Sequence, residues 1–190
     1  MRYIPFLFLL IQLGVLNGQD FKQEQEFRIG ADLVPEKAFH WIEDVQLDGE
    51  KVKWYFEKSG SKESYEAKFK RNKSKYSIEF SKTGDIEDVE IQRSWKELTP
   101  ELRALLQNSF GQFEKFKIKK IQEQWLSSND DLLKLALSSN DASNLEVNYE
   151  IEFRAKIDGR FFFWEGLFDH KGKLIKKQRI KTRATDNLDF

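Results

Sequence analysis

The chain has 190 residues, which suit one compact domain or two small units that share a core. Aromatic residues make up 14% of it, including 17 Phe and 5 Trp, so a large apolar core is expected rather than disorder. Its 32 basic residues balance 32 acidic ones, and without net charge no long-range field attracts nucleic acid or an anionic membrane. The chain lacks cysteine, which excludes disulfides, thiolate metal sites and a cysteine nucleophile.

The first 18 residues have the pattern of a signal peptide. Arg2 precedes an apolar run at 4–16, and Asn17 and Gly18 follow that run. The run is shorter than the roughly 20 residues that a helix needs to cross a bilayer. We therefore predict cleavage after Gly18, with an uncleaved anchor as the alternative. The mature protein is predicted to be periplasmic or secreted, with no stable membrane insertion.

Residues 19–32 are polar and predict a flexible lead-in, and a first structural unit is predicted at 33–97. A helix is expected from Pro35 to Val45, where apolar residues recur at helical spacing. After it, apolar and polar residues alternate, which is typical of half-buried strands. The strands predicted from this alternation are 51–57, 65–70, 76–81 and 86–91.

A second unit is predicted at 98–181, followed by a frayed tail at 182–190. It begins with a helix at Pro100–Phe110, and the strands predicted after it are 118–125, 149–157, 161–168 and 174–180. Asp158-Gly159 favours a two-residue type I' turn between two of them. The long connection 127–145 predicts a short capped helix, present either for function or as a harmless insertion.

Sequence motifs of the first unit return in the second. Tyr65-Glu-Ala-Lys-Phe69 returns as Tyr149-Glu-Ile-Glu-Phe153, and the Gly84 segment Phe80–Ile86 returns as the Gly172 segment Phe168–Leu174. We therefore predict an α+β fold, a tandem repeat of helix plus antiparallel β-sheet. Helices are expected to cover the apolar sheet face, while the polar outer face meets water or a partner.

The sequence offers no recognisable catalytic or metal-binding motif. G-x-S-x-G, P-loop and H-E-x-x-H patterns are absent, and His40 and His170 fall in different units. Asn129-Asp-Asp131 lacks the spaced ligands of a calcium loop. Lys115–Lys120 is basic, but it is more simply a strand with lysines outward than a nucleic-acid contact. We predict no catalytic residues, no cofactor and no metal, and hence no enzyme.

The candidate partner-binding residues lie on the outer sheet face, where a mixed aromatic and charged patch suits a protein partner. Phe161 and Phe163 fall on this face because Phe162, Trp164 and Phe168 take the apolar side. Either these two rings bind something or the two units bury them. The candidates are Tyr55, Lys53, Glu66, Lys68, Glu150, Glu152, Arg154, Phe161 and Phe163.

The blocks 65–91 and 149–180 each have an aromatic-rich hairpin and a Gly before an apolar pair. In this they resemble the β-lactamase-inhibitor-like, PepSY-like proteins exported by Bacteroidetes, over about residues 33–180. The resemblance implies tandem α-plus-antiparallel-sheet repeats, similar to the β-lactamase inhibitory protein, in an envelope protein without known catalysis. The chain lacks the cysteines of that inhibitor's disulfides, and no residue matches an inhibitory-contact motif.

These observations predict an exported, non-catalytic binding module for a protein partner. One specific version is inhibition of an exported hydrolase or protease. The alternative is a small-ligand or lipid carrier, which requires a pocket of several hundred cubic ångströms between sheet and helices. An enclosed apolar cavity would favour the carrier, whereas a filled core with an exposed aromatic patch would favour protein binding.

Overall fold

The computed structural model describes residues 21–22, 24–45, 47 and 49–180, with side chains described from Gln25 onward. The predicted signal peptide and tail lie outside these residues. The described helices are α1 (Glu36–Asp44), α2 (Pro100–Phe110) and α3 (Asp130–Ser139). The described strands are β1 (Phe21–Lys22), β2 (Glu24–Ile29), β3 (Lys53–Ser59), β4 (Lys62–Arg71), β5 (Ser74–Ser81), β6 (Ile86–Arg93), β7 (Lys115–Leu126), β8 (Glu146–Ile157), β9 (Arg160–Asp169) and β10 (Leu174–Ile180).

These strands form one sheet in the order β1-β10-β9-β8-β7-β6-β5-β4-β3-β2. Neighbouring strands are antiparallel, except that β1 runs parallel to β10. From β2 to β10 the sheet follows chain order, because each strand pairs with the one before it. The α+β class predicted from the sequence is confirmed, with a mostly antiparallel sheet.

Strands β1 and β2 bring the two ends of this sheet together. Lys22 of β1 pairs with Ile180 of β10, whereas Glu24 of β2 pairs with Ser59 of β3. Lys22 and Glu24 are two residues apart, a separation of at most about 7 Å. Strands β10 and β3, which stand far apart in the strand order, therefore approach each other, and the sheet is strongly curled.

The prediction of a flexible lead-in at 19–32 is wrong for residues 24–29, which form β2. Six consecutive residues of β2 pair with β3. An edge strand needs only backbone partners and little apolar surface, and both Phe27 and Arg28 are exposed. The polar composition of this segment therefore gave no sign of its pairing.

Two clusters of buried side chains form the core. The first joins α1 and α3 to β3–β7 and includes Trp41, Trp54, Ile78, Phe80, Trp125 and Leu133. The second joins α2 to β7–β9 and includes Leu106, Phe110, Ile121, Ile151 and Phe168. Each such side chain contributes about 1.5–3 kcal/mol on burial. Because β7 supplies residues to both clusters, it ties the two parts of the core together.

The long connection 127–145 contains the predicted capped helix, α3. The side-chain oxygen of Asn129 accepts a hydrogen bond from the Asp131 backbone nitrogen at 3.0 Å, and Asn140 ends the helix in the left-handed conformation. The buried side of α3 belongs to the first cluster. Lys134 of α3 also forms an ion pair with Asp44 at 2.6 Å. The connection is therefore a structural part of the core.

Two glycine turns, 81–85 and 169–173, form the same pair of backbone hydrogen bonds. Gly84 and Gly172 have φ of +84° and +67°, a region that glycine adopts without strain. A Cβ on Gly84 would lie 3.0 Å from a backbone nitrogen of α1, and one on Gly172 would lie 2.9 Å from Cβ of Leu105. Each turn thus packs directly against a helix, which explains why glycine recurs in the two sequence blocks.

Candidate functional site

The sheet face opposite the two clusters lines a continuous cavity of about 1050 Å³. Nine strands, β2 to β10, contribute to its lining, and we call this face the polar trough. Side chains on a strand alternate between the two faces, so the residues on either side of a core residue point into the trough. Its lining includes nine carboxylates and only five lysines. The polar trough is therefore acidic in a chain that has no net charge.

Several polar side chains of the trough are buried. Glu66, Ser77, Gln122 and Glu165 are examples, and Asp88 is only 7% exposed. The described helices do not account for this, because their buried residues belong to the two clusters on the other sheet face. The curl of the sheet accounts for this burial, because neighbouring strands shield each side chain from water. The sequence predicted a face open to water or a partner, and that expectation is corrected: the face is concave and partly desolvated.

Three carboxylates stand in a row across neighbouring strands at one part of the trough. Glu66 of β4 pairs with Glu79 of β5, which lies beside Asp88 of β6. Side chains directly opposite each other are about 5 Å apart, and like charges in such positions are destabilising. Lysines counter the first two: Lys68 Nζ lies 2.7 Å from Glu66, and Lys62 Nζ lies 3.0 Å from Glu79.

For Asp88 the counter-charge is weaker: the charge of Lys62 lowers its pKa, but by less than burial and the charge of Glu79 raise it. Gln124 donates a hydrogen bond to its Oδ2 at 2.8 Å, but its Oδ1 is buried with no hydrogen-bond partner. No lysine or arginine in the described ranges forms an ion pair with it. Burial raises the pKa of Asp88 to about 7, and repulsion from Glu79 acts in the same direction.

Glu90 lies two residues further along β6, on the same face. The Gln122 amide donates a hydrogen bond to its Oε2, and no cation among the described residues pairs with it. Burial raises the pKa of Glu90 well above its usual value, and the charges of Glu150 and Asp88 add to this rise. The floor of the trough therefore holds two neighbouring carboxylates that each accept a hydrogen bond from a neutral amide and form no ion pair among the described residues.

The structure places most of the predicted site residues on or beside this trough. Glu66, Lys68, Glu150 and Glu152 line the cavity. Two further predicted site residues, Lys53 and Tyr55 of β3, line an adjoining cavity of about 560 Å³. Glu66 and Lys68 also line this second cavity. In the same region the Lys68 ammonium lies 5.0 Å from the centre of the Tyr55 ring.

Arg154, Phe161 and Phe163 form a group that we call the aromatic corner. Arg154 pairs with Phe163 across β8 and β9, and its guanidinium lies 4.0 Å from the Phe161 ring centre. Phe161 is 43% exposed, and Phe163 is half-buried. Burial of Phe161 between two units, one of the two expectations for this ring, is therefore wrong. Trp164 lies in the second cluster, as the alternation predicted.

Sequence reasoning missed Asp88, Glu90 and their amide partners on β7. Both carboxylates flank the core residue Val89, so the alternation that marks β6 also puts them on one face. Charged residues in this pattern usually indicate a solvated strand face. Only the curl of the sheet buries them, and curl leaves no local pattern in the sequence.

Neither histidine lines the polar trough. His40 is exposed on α1 and contacts Glu43 at 2.8 Å, which raises the pKa of His40. His170 is exposed in the turn between β9 and β10. Across the part of the chain that the structure describes, no group of three or more His, Asp or Glu residues is arranged to hold a metal ion.

Comparison with solved structures identifies similar folds. A DUF2874 family protein from Bacteroides ovatus matches with a TM-score of 0.52 at 13% identity, covering 77% of this chain and 87% of that one. The chain shares its fold. A candidate periplasmic protein from Bacteroides eggerthii (TM-score 0.49, 11% identity, coverage 77% and 88%) and a BLIP-like protein from Bacteroides fragilis (0.47, 14%, 80% and 90%) are also similar. The predicted resemblance is thus confirmed at the level of fold.

No protein-family model matches the sequence, and no curated protein matches it. Within the described residues, no helix has the length and apolar character needed to span a membrane. At this level of identity, the comparisons establish architecture alone.

Proposed function

We propose that this chain is an exported, non-catalytic binding module that engages a protein partner through the polar trough and the aromatic corner. The observation that carries the proposal is the concave cavity of about 1050 Å³, whose nine carboxylates exceed its five lysines. Such a surface is electrostatically complementary to a basic partner. Phe161, with Arg154 stacked on it, supplies the kind of aromatic and arginine anchor that dominates protein interfaces.

Export rests on the predicted signal peptide at 1–18. Expression of the full chain in a Gram-negative host should place the protein in the periplasm or the medium. Mass spectrometry of the intact product should then give an N-terminus at Gln19. A product that retains Met1 and fractionates with membranes would support the uncleaved anchor instead.

A carrier for small polar ligands is the second candidate function. The cavity has the volume typical of small-molecule sites, which supports this alternative. A lipid carrier has less support, because the trough is lined mainly by charged and amide side chains. Between the sheet and the helices, the described residues pack into the two apolar clusters.

We also propose that the two parts of the fold arose from one duplicated unit, each with its helix packed on the same sheet face. The matching turns 81–85 and 169–173 support this, since both form the same hydrogen bonds and press a glycine against a helix. If the partner-binding surface evolved after the duplication, it should use residues that differ between the two units. The aromatic corner fits that expectation, because the first unit has no counterpart of Phe161 and Phe163 at the matching strand positions.

Site-specific photo-crosslinking in an envelope extract of the source organism tests the proposed function. A photoreactive phenylalanine is introduced at Phe163 in the aromatic corner, at Tyr55 beside the trough, and at Leu135 on the exposed side of α3 as control. We expect adducts of one discrete mass from the first two positions and none from Leu135. Equal labelling at all three positions, or none at any, would contradict a partner site on this face.

A further inference from the structure

We propose that Asp88 and Glu90 form a binding position for one guanidinium or ammonium group, supplied by a basic segment of the protein partner. The inference deepens the proposed function and rests on it. It starts from Oδ1 of Asp88, which is buried, lies on the floor of the polar trough and has no hydrogen-bond partner. A buried acceptor without a donor is costly, and a bound cation would satisfy it.

The geometry of β6 suits such a group. Asp88 and Glu90 stand two residues apart on one face of a strand, so their Cα atoms are about 7 Å apart. Gln124 and Gln122, both on β7, each donate to only one oxygen of their carboxylate. Oδ1 of Asp88 is left without a donor, and a guanidinium carries five N–H donors that can engage both carboxylates.

Among the described residues, the lysines whose charges act on these two carboxylates form their ion pairs elsewhere, and Lys120, which acts on Glu90, pairs with Glu152 at 3.6 Å. Lys62 pairs with Glu79 at 3.0 Å and with Glu87 at 2.6 Å. Lys68 pairs with Glu66 at 2.7 Å and with Glu26 at 2.9 Å. Lys62 and Lys68 therefore each bridge two other carboxylates, and among the described residues the row of acids ends at Asp88 without an ion pair.

A protein segment is the occupant that this setting favours. The cavity extends over nine strands, much further than one cation needs, and carboxylates exceed lysines along its lining. An extended segment with basic residues would follow this lining while one side chain reaches β6. An extended basic segment can match the negative charge along the whole trough, whereas a free small cation can match it at one point only.

Fluorescence anisotropy with a labelled peptide tests the position. The probe is a six-residue peptide of alternating arginine and threonine, and its control replaces each arginine with citrulline, a neutral side chain of nearly the same shape. Asp88→Asn and Glu90→Gln remove the two charges while keeping acceptors for Gln124 and Gln122. Glu101→Gln, at an exposed position on α2, removes the same charge away from the trough. Circular dichroism verifies that each variant is folded.

We expect the purified protein to bind the arginine peptide at least about tenfold more tightly than the citrulline peptide, and Asp88→Asn to lose about tenfold in affinity. Glu90→Gln should weaken binding in the same direction, and Glu101→Gln should leave it unchanged. Equal affinity of wild type and a folded Asp88→Asn variant would overturn the position. Binding of neither peptide would also overturn it.

Competition with free spermidine separates the two sources of a cation. If the natural occupant is a protein segment, spermidine should displace the arginine peptide only weakly. Displacement at concentrations below those of unlabelled peptide would overturn the assignment to a protein segment. The crosslinking experiment is independent of this one: absence of adducts removes the proposed function, whereas unchanged affinity of Asp88→Asn removes only the cation position.

Discussion

The two faces of strand β6 are shielded from water by different means and to different degrees. Val89 and Ile91 are fully buried in the first cluster, against side chains of the helices and neighbouring strands. On the trough face the curl of the sheet buries Asp88, beside Val89, and leaves Glu90, between Val89 and Ile91, half-buried. Apolar burial stabilises the fold, whereas burial of unpaired carboxylates opposes it. The difference indicates that the trough face was shaped for something other than stability.

The core face should be the more sensitive of the two to truncation. Phe80 is fully buried, and its ring centre lies 5.7 Å from that of Trp41 and 5.9 Å from that of Trp54. Phe80→Ala should lower the free energy of unfolding by about 3–5 kcal/mol because it leaves a cavity. Urea denaturation measures this loss. Glu79→Gln, the adjacent residue on the trough face, should change it by less than about 1 kcal/mol, and comparable losses would refute the contrast.

The helical cover of the core face can be tested at a glycine turn. Gly172→Ala adds a Cβ 2.9 Å from Leu105 at a positive φ, and we expect a loss of about 2 kcal/mol. Gly159→Ala has a similar φ of +75° but nothing within 4 Å, so it should cost about 1 kcal/mol. Thermal melts compare the two variants. Equal shifts in Tm would show that the contact with α2 contributes nothing.

The trough face should respond to pH rather than to truncation. Asp88 faces Glu79 on β5, Glu150 on β8, Lys62 on β4 and the neutral Gln124 on β7. An unfolded aspartate has a pKa of about 3.9, so the folded state holds this proton up to about pH 7 after the unfolded state has lost it. The contribution of Asp88 to stability is therefore complete below about pH 4 and falls as pH rises to about 7.

Asp88→Asn removes this titration. The variant should exceed the wild type in free energy of unfolding at pH 8, by at most about 4 kcal/mol for a shift of about three pKa units, and the difference should shrink toward pH 4. Urea denaturation across this pH range measures it, with Glu101→Gln as the exposed control. A difference that grows toward acid would reverse the sign and contradict a raised pKa.

The smallest effect on stability is expected at the aromatic corner. Because Phe161 is 43% exposed, Phe161→Ala should lose about 0.5–1 kcal/mol, mainly its contact with the Arg154 guanidinium. Calorimetry measures the change in Tm. The double variant with Phe163→Ala should stay folded and lose the crosslinked partner, whereas a loss of several kcal/mol would mean that the two rings serve the core.

The elements that depend on local signals were predicted well. The helix Pro100–Phe110 and the strand Leu174–Ile180 have the predicted bounds, since hydrophobic period and the proline at the helix start are readable in a short window. Asp158-Gly159 forms the expected turn, with φ of +49° and +75°. The pairing of β2 was not readable, because its partner strand β3 lies more than twenty residues away.

The sheet face of several candidate residues could be predicted from the sequence, but their burial could not. Alternation placed Glu66, Glu150 and Phe161 on the correct face, because the period of a strand fixes the face of each side chain. It did not separate exposed carboxylates from buried ones. That distinction depends on the accumulated twist and curvature of many strands, which no single segment encodes.

The pairing of β1 and β2 with opposite ends of the sheet also affects assembly. Free strand edges invite pairing with other chains, and these two strands cover part of β3 on one side and the end of β10 on the other. In a chain made from its N-terminus, β1 is made well before its partner β10, because the strands β2 to β9 lie between them in the sequence. The pairing of β1 with β10 therefore joins the two extremes of the described chain, a contact of long sequence separation of the kind that slows folding.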